Sequence, residues 1–142
     1  MTKILVAEDN PADVYLLREA FQVATDDVEL LIVADGEQAL EYILRKGQFR
    51  DATIPDLVVL DLNLPKIGGL DVLRTIRNDE RTRLQPVVIL TSSKEDKDLA
   101  AGYALGANSY IVKPVDFTQF SDSVRQLGLY WLLINHPPPV AP

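Results

Sequence analysis

Five residues of this 142-residue chain could do chemistry together: the acidic pair Glu8-Asp9, the acid Asp61, the hydroxyl of Thr91 and the amine of Lys113. Three carboxylates in close quarters repel one another, so they must hold a proton, a cation or both. All three are hard oxygen ligands, which suits Mg2+, an ion that commonly takes one or two carboxylates and keeps positions for water and a substrate phosphate. Asp61 could then be both ligand and nucleophile. A carboxylate can form an acyl phosphate, with Mg2+ and Lys113 neutralising the phosphoryl oxygens as the group transfers. Taken singly, the residues read more plainly: Asp9 as a cap or turn residue before Pro11, Thr91 as a strand-end cap, Lys113 as a solvated charge. Asp61 is the hardest to dismiss alone, because it ends the apolar run Leu57–Leu60, where a carboxylate is costly unless partnered.

Their places along the chain supply the reason to gather them. Five short apolar runs, Lys3–Ala7, Val28–Val33, Leu57–Leu60, Val87–Leu90 and Ser109–Val112, alternate with segments of helical period. Val14, Leu17 and Phe21 recur at three- and four-residue spacing, as do Ala39 with Ile43, Leu70 with Leu73 and Ile76, and Phe120 with Val124 and Leu127. Asn10-Pro11 and Asp35-Gly36 read as helix starts, Lys46-Gly47 and Leu105-Gly106 as stops, and Pro86 opens a strand where its missing donor is tolerated. Near-continuous apolar strands alternating with amphipathic helices predict an α/β fold: a doubly wound, five-stranded parallel sheet, flavodoxin-like in the order 2-1-3-4-5, with helices on both faces. Ligands of such sheets bind outside the carboxyl ends of the strands. Strand one is followed by Glu8-Asp9, strand three by Asp61, strand four by Thr91 and strand five by Lys113-Pro114, so the fold itself predicts one reactive edge.

Composition limits the rest. The length suits one domain with a core that needs no covalent staples. There are no cysteines, which excludes disulfides, thiolate metal sites and cysteine nucleophiles. MTKILVAEDN reaches acids after four apolar residues, too few for a signal-peptide core, and no run approaches the ~18 residues of a membrane span, so a cytoplasmic protein without membrane contact is expected. Fourteen basic against twenty-one acidic residues leave a net charge of −7, which argues against nucleic acid as a direct partner.

The stretches "ILVAEDNPAD", "VVLDLNLPKIGGLDVL", "VVILTSS" and "GANSYIVKPVD" together resemble the response-regulator receiver domains of two-component signalling, over nearly the whole chain. The resemblance implies an Mg2+ site at Glu8, Asp9 and Asp61 with the backbone carbonyl of Asn63, and Asp61 as phosphoacceptor. It implies Thr91 and Tyr110 as a hydroxyl–aromatic switch, Lys113 as the partner of the phosphate, and a cis Lys113-Pro114 bond. Ser93 and Asn63 fall where water access to the acyl phosphate would be set. Such a protein is a phosphoacceptor rather than a conventional enzyme, with self-catalysed phosphotransfer and slow autodephosphorylation. The donor would be a histidine kinase. The long loop from Gly47 to Pro55 and the ending "YWLLINHPPP" look most similar to single-domain receivers that partner bacterial phytochromes.

Rival readings are weaker. A phosphatase of the haloacid dehalogenase type needs a second Asp two residues after its nucleophile, where this chain has Asn63. A flavin carrier would cradle phosphate with a first loop rich in Ser, Thr and Gly, whereas EDNPAD presents carboxylates. A non-phosphorylated pseudo-receiver, acting only as an interaction module, retains no missing residue in its favour. The domain is expected over residues 1–135 with output through protein contact, followed by a Pro-rich tail over 136–142 in which the lone His136 is incidental. Beyond Gly128 the run Leu129, Tyr130, Trp131, Leu132, Leu133, Ile134 is too apolar for one core-facing helix stripe. About half must face elsewhere, and a homodimer through the fourth and fifth helices, the last strand and this tail is the expectation.

Overall fold

Parallel pairing joins five strands into one sheet in the order β2-β1-β3-β4-β5. The strands are β1 (Thr2–Ala7), β2 (Val28–Val33), β3 (Leu57–Leu60), β4 (Val87–Thr91) and β5 (Ser109–Val112), and the helices between and after them are α1 (Pro11–Ala24), α2 (Gly36–Ile43), α3 (Gly69–Asn78), α4 (Asp96–Ala104) and α5 (Phe117–Leu129). The computed structural model describes residues 1–139. The last three residues of the expected Pro-rich tail, 140–142, lie outside the described residues, and 135–139 carry no helix.

Alternation of side chains along each strand divides the core in two. Leu5, Ala7, Val58, Leu60, Val87 and Ile89 point to one face, under Ala39, Tyr42 and Ile43 of α2 and Val72, Leu73 and Ile76 of α3. Ile4, Val6, Leu57, Val59, Val88 and Leu90 point to the other, under Leu16, Leu17 and Phe21 of α1 and Phe120, Val124 and Leu127 of α5. Each Val, Leu, Ile or Phe among these contributes about 1.5–3 kcal/mol on full burial. Both faces are therefore held by apolar area, and the polar strand ends are left free for chemistry.

The local signals act largely as the sequence suggests. Asn10 caps α1, its side chain accepting from the N–H groups of Ala12 and Asp13, with Pro11 at the first helical position. Asp35 caps α2 by accepting from Gln38. Helix α4 ends at Leu105-Gly106, where Gly106 takes φ 93°. Helix α2 ends earlier than Lys46-Gly47: Arg45 turns to φ 55° and the Lys46 N–H returns to the Glu41 carbonyl at 2.8 Å. The loop from Gly47 to Pro55 contains a 3-10 turn, Gly47–Phe49, whose Phe49 ring stands edge-on to Tyr42 at 5.3 Å.

One expectation is corrected. No peptide bond among the described residues is cis, so Lys113-Pro114 is trans, the geometry that X–Pro bonds intrinsically favour.

The chain's end divides its apolar run. Tyr130–Ile134 forms a π-helical turn after α5. Trp131 and Leu132 pack back against the α1/α5 core, while Leu129, Tyr130, Leu133 and Ile134 stay exposed.

Candidate functional site at the strand ends

Strand register sets the site. Ala7 lies beside Leu60, so the next residues out, Glu8 and Asp61, emerge at one level, each fixed by the ladder: Glu8 N–H donates to Val33 and Asp61 N–H to Ala7. Thr91 lies beside Val112, and the Lys113 N–H donates to the Thr91 carbonyl at 2.7 Å. Asp61 is also shaped from behind. The first residue of α3, Gly69, sits so close to it that a Cβ there would lie 2.3 Å from the Asp61 carbonyl oxygen. Only glycine permits that approach.

Glu8, Asp61 and Thr91 are buried, and Asp9 is exposed. Carboxylate oxygens of Glu8, Asp9 and Asp61 lie within 4.8 Å of one another. Asp61 Oδ1 accepts from the Asn63 N–H at 3.1 Å and Oδ2 from Lys113 Nζ at 3.0 Å. The same ammonium donates to Glu8 and, at 2.8 Å, to Asp13 Oδ2. Lys113 thus stands among the acids, making three ion pairs with its side chain only 10% exposed.

Asp13 was not legible as a site residue. As the third residue of a capped helix it reads as a carboxylate placed for the helix dipole. Its position one turn beyond Asp9, at the end of the stretch ILVAEDNPAD, is the sequence signal that could have raised it.

The electrostatics follow from burial and pairing. Burial pushes the Glu8 carboxyl up to about 7, with Asp61 reinforcing the rise and Lys113 opposing it. Burial alone would raise Asp61 too, but the Asn63 N–H and the Lys113 ammonium outweigh it and hold Asp61 below the usual carboxylate range. Lys113 is likewise pulled down by burial and lifted further by Asp13, Glu8 and Asp61, so it stays charged. An ionised, oriented Asp61 beside a fixed cation is what a nucleophilic carboxylate requires. The hard oxygens of Glu8, Asp9 and Asp61 come close enough together that they could hold a divalent cation such as Mg2+.

Next to the acids, the Ser93 N–H reaches the Thr91 hydroxyl oxygen at 3.4 Å, and Ser93 Oγ donates to Asp98 at 2.5 Å. The Tyr110 hydroxyl donates to the Ser93 carbonyl at 2.9 Å. Asn63 itself is exposed, and it is its N–H that engages Asp61. His136 lies in the tail beyond the π-helical turn, in the segment carrying no helix.

Known proteins resemble this chain over nearly its whole length. The profile of the response regulator receiver domain matches residues 4–125. A probable methanogenesis regulatory protein, FilR2 of Methanothrix harundinacea, is 40% identical over 136 residues, covering 95% of this chain and 86% of FilR2. Among solved structures, the Mn(2+)-bound form of response regulator Rcp1 superposes with TM-score 0.95 at 34% identity, covering 98% of this chain and all of that one. The phosphorylated cyanobacterial phytochrome response regulator RcpA superposes with TM-score 0.94 at 37% identity, covering 97% and 99%. Among the described residues no helix is long and apolar enough to cross a membrane. A profile match across most of the chain, on a sheet whose strand ends carry these acids and this lysine, leads to one conclusion: the chain belongs to the response-regulator receiver-domain family.

Proposed function

We propose that this protein accepts a phosphoryl group on Asp61 from a phosphohistidine of a histidine kinase and changes its protein contacts in response. The observation that carries the reading is the environment of Asp61, a buried carboxylate kept ionised by the Asn63 N–H and Lys113 within reach of Glu8 and Asp9. In the transfer an Asp61 oxygen forms the new bond to phosphorus while the bond to the donor imidazole nitrogen breaks, the electron pair leaving with the ring. Lys113 faces the Asp61 oxygen and supplies positive charge to the incoming phosphoryl oxygens. Glu8, Asp9 and Asp61, with the Asn63 backbone carbonyl, would hold Mg2+, which neutralises phosphoryl charge when bound. Ser93 and Asn63 flank the group and govern how water reaches it.

Thr91 and Tyr110 form the readout. A hydroxyl drawn toward the phosphoryl group biases an existing equilibrium of the Tyr110 ring and the Ser93 segment it is bonded to. Likeness to RcpA, described as a phytochrome response regulator, supports a phytochrome-type kinase as donor. The exposed apolar residues Leu129, Tyr130, Leu133 and Ile134 support a homodimer through α4, β5, α5 and the tail.

A pseudo-receiver that binds without phosphorylation is the alternative, and one experiment separates the two. Autophosphorylated histidine kinases, a phytochrome kinase among them, are mixed with the chain and the label followed. The proposal requires label to leave a kinase and appear on this protein but not on Asp61→Asn. Label that stays on every kinase supports the pseudo-receiver.

A further inference from the structure

Lys113 is shared by three carboxylates that do not stand in the same relation to the rest of the site. Glu8 and Asp61 belong to the trio whose oxygens converge within 4.8 Å. Asp13 does not, yet its Oδ2 lies 2.8 Å from the ammonium, and its side chain is only 18% exposed. It reaches Lys113 from the first turn of α1, where Asn10 caps the helix by accepting from the Asp13 N–H at 3.3 Å and so fixes its backbone.

A divalent cation among Glu8, Asp9 and Asp61 would draw on two of the three carboxylates that hold the ammonium. Two of the three partners of Lys113 are then contested by a stronger charge. A lysine is a flexible four-carbon stem with a point charge, and nothing in its own geometry keeps that charge beside Asp61 once they are taken. We propose that Asp13 is a positioning residue: it retains the Lys113 ammonium beside Asp61 when the metal trio is filled, so that the cation meets the phosphoryl group already in place. The inference rests on the reading of the site given above.

The ammonium protons of Lys113 give a direct test, because their NMR signal survives only while long-lived hydrogen bonds hold the group. The signal is identified by its loss in Lys113→Arg and followed in the full chain without and with saturating Mg2+. The proposal requires it to persist with Mg2+ in the wild type and to vanish with Mg2+ in Asp13→Asn. A wild-type signal that vanishes with Mg2+, or an Asp13→Asn signal that persists, overturns it.

Rates of phosphorylation by a small phosphodonor at saturating Mg2+ supply the second arm. Asp13→Asn should slow the reaction by roughly tenfold, as loss of a positioned group does. In a Lys113→Met background it should have no further effect, since the role runs through the lysine. An equal loss in both backgrounds means that Asp13 acts by itself and overturns the proposal. A wild-type chain that takes no phosphoryl group on Asp61 would instead overturn the underlying reading, and this proposal with it.

Discussion

Tyr110 and Ser93 are joined by a single hydrogen bond, 2.9 Å from the phenol to the backbone carbonyl, which ties the strand β5 aromatic to the segment leaving Thr91. Gly102 of α4 makes room for that ring: a Cβ there would lie 2.9 Å from Ile89 Cδ1 and 3.2 Å from Tyr110 Cδ2. Three substitutions should separate the parts of this device. Tyr110→Phe removes one hydrogen bond, at a net cost of about 1 kcal/mol, and should speed amide exchange at 93–95 without slowing phosphorylation. Gly102→Ala should shift the ring out of its place, seen as changed Tyr110 ring resonances. Thr91→Ala should accept phosphate yet leave the exchange of 93–95 unaltered by it; a normal phosphorylation-induced change in that variant would contradict the switch.

Metal binding should depend on pH through Glu8. Its folded value, about 7, lies above the ordinary 4.5, so the metal-free fold binds this proton more tightly than the unfolded chain does. The sign is therefore destabilising: stability of the metal-free protein falls as pH rises from 4.5 toward 7 from this group. Metal selects the ionised form, so below pH 7 binding releases a proton and affinity for Mg2+ should climb by up to about tenfold per pH unit. Calorimetry in buffers of different ionisation heat measures the release. Glu8→Gln should abolish it.

Arg77 should matter for stability and not for phosphorylation. Its guanidinium donates to the carbonyls of Gly106, Arg83 and Gln85 and to Asn108 Oδ1, pinning the end of α3 to the segments before β4 and β5. A lysine cannot reproduce that fork. Arg77→Lys should cost about 2 kcal/mol by the loss of two or more such bonds, read as a lower midpoint in denaturant with an unchanged phosphorylation rate.

The strands were the most legible part of the fold, because each is a short apolar run set off by polar residues or proline close to its ends. Three of five have the expected ends, and β1 and β4 each gain one residue, Thr2 and Thr91, through ladder bonds that no hydropathy pattern records. Helix α4 left no periodic trace. Of Asp96–Ala104 only Gly102 is buried, so it lacks an apolar stripe. In the site, Glu8, Asp9, Asp61, Thr91 and Lys113 were visible because strand ends converge in this topology. The Lys113–Asp13 pair was not, since it joins residues 100 apart through a helix turn whose acid already has a local explanation.

The apolar tail gives a prediction sharpened by its packing. Trp131 and Leu132 pack, half-buried, against the chain's own core, so cutting the chain at Gly128 would cost stability as well as any interface. Leu133 and Ile134 are 60% and 63% exposed and can be changed alone. If the proposed homodimer forms through the tail, the wild type should sediment as a dimer, whereas a double Leu133→Glu, Ile134→Glu chain should keep its thermal midpoint and sediment as a monomer. Identical sedimentation of both would remove the tail from any interface.

Asp61 is the proposed phosphoacceptor, and its neighbours are the proposed holders of the metal that the transfer needs. Intact-mass measurement after incubation with a small phosphodonor tests both roles most directly, in Mg2+ and in chelator, for the wild type, Asp61→Asn and a chain with Glu8→Gln and Asp9→Asn. One added phosphoryl group is expected on the wild type in Mg2+ alone, none on Asp61→Asn, and none dependent on Mg2+ in the double variant. A phosphoryl group appearing on Asp61→Asn as readily as on the wild type, or equal labelling of the wild type in chelator, would contradict this assignment.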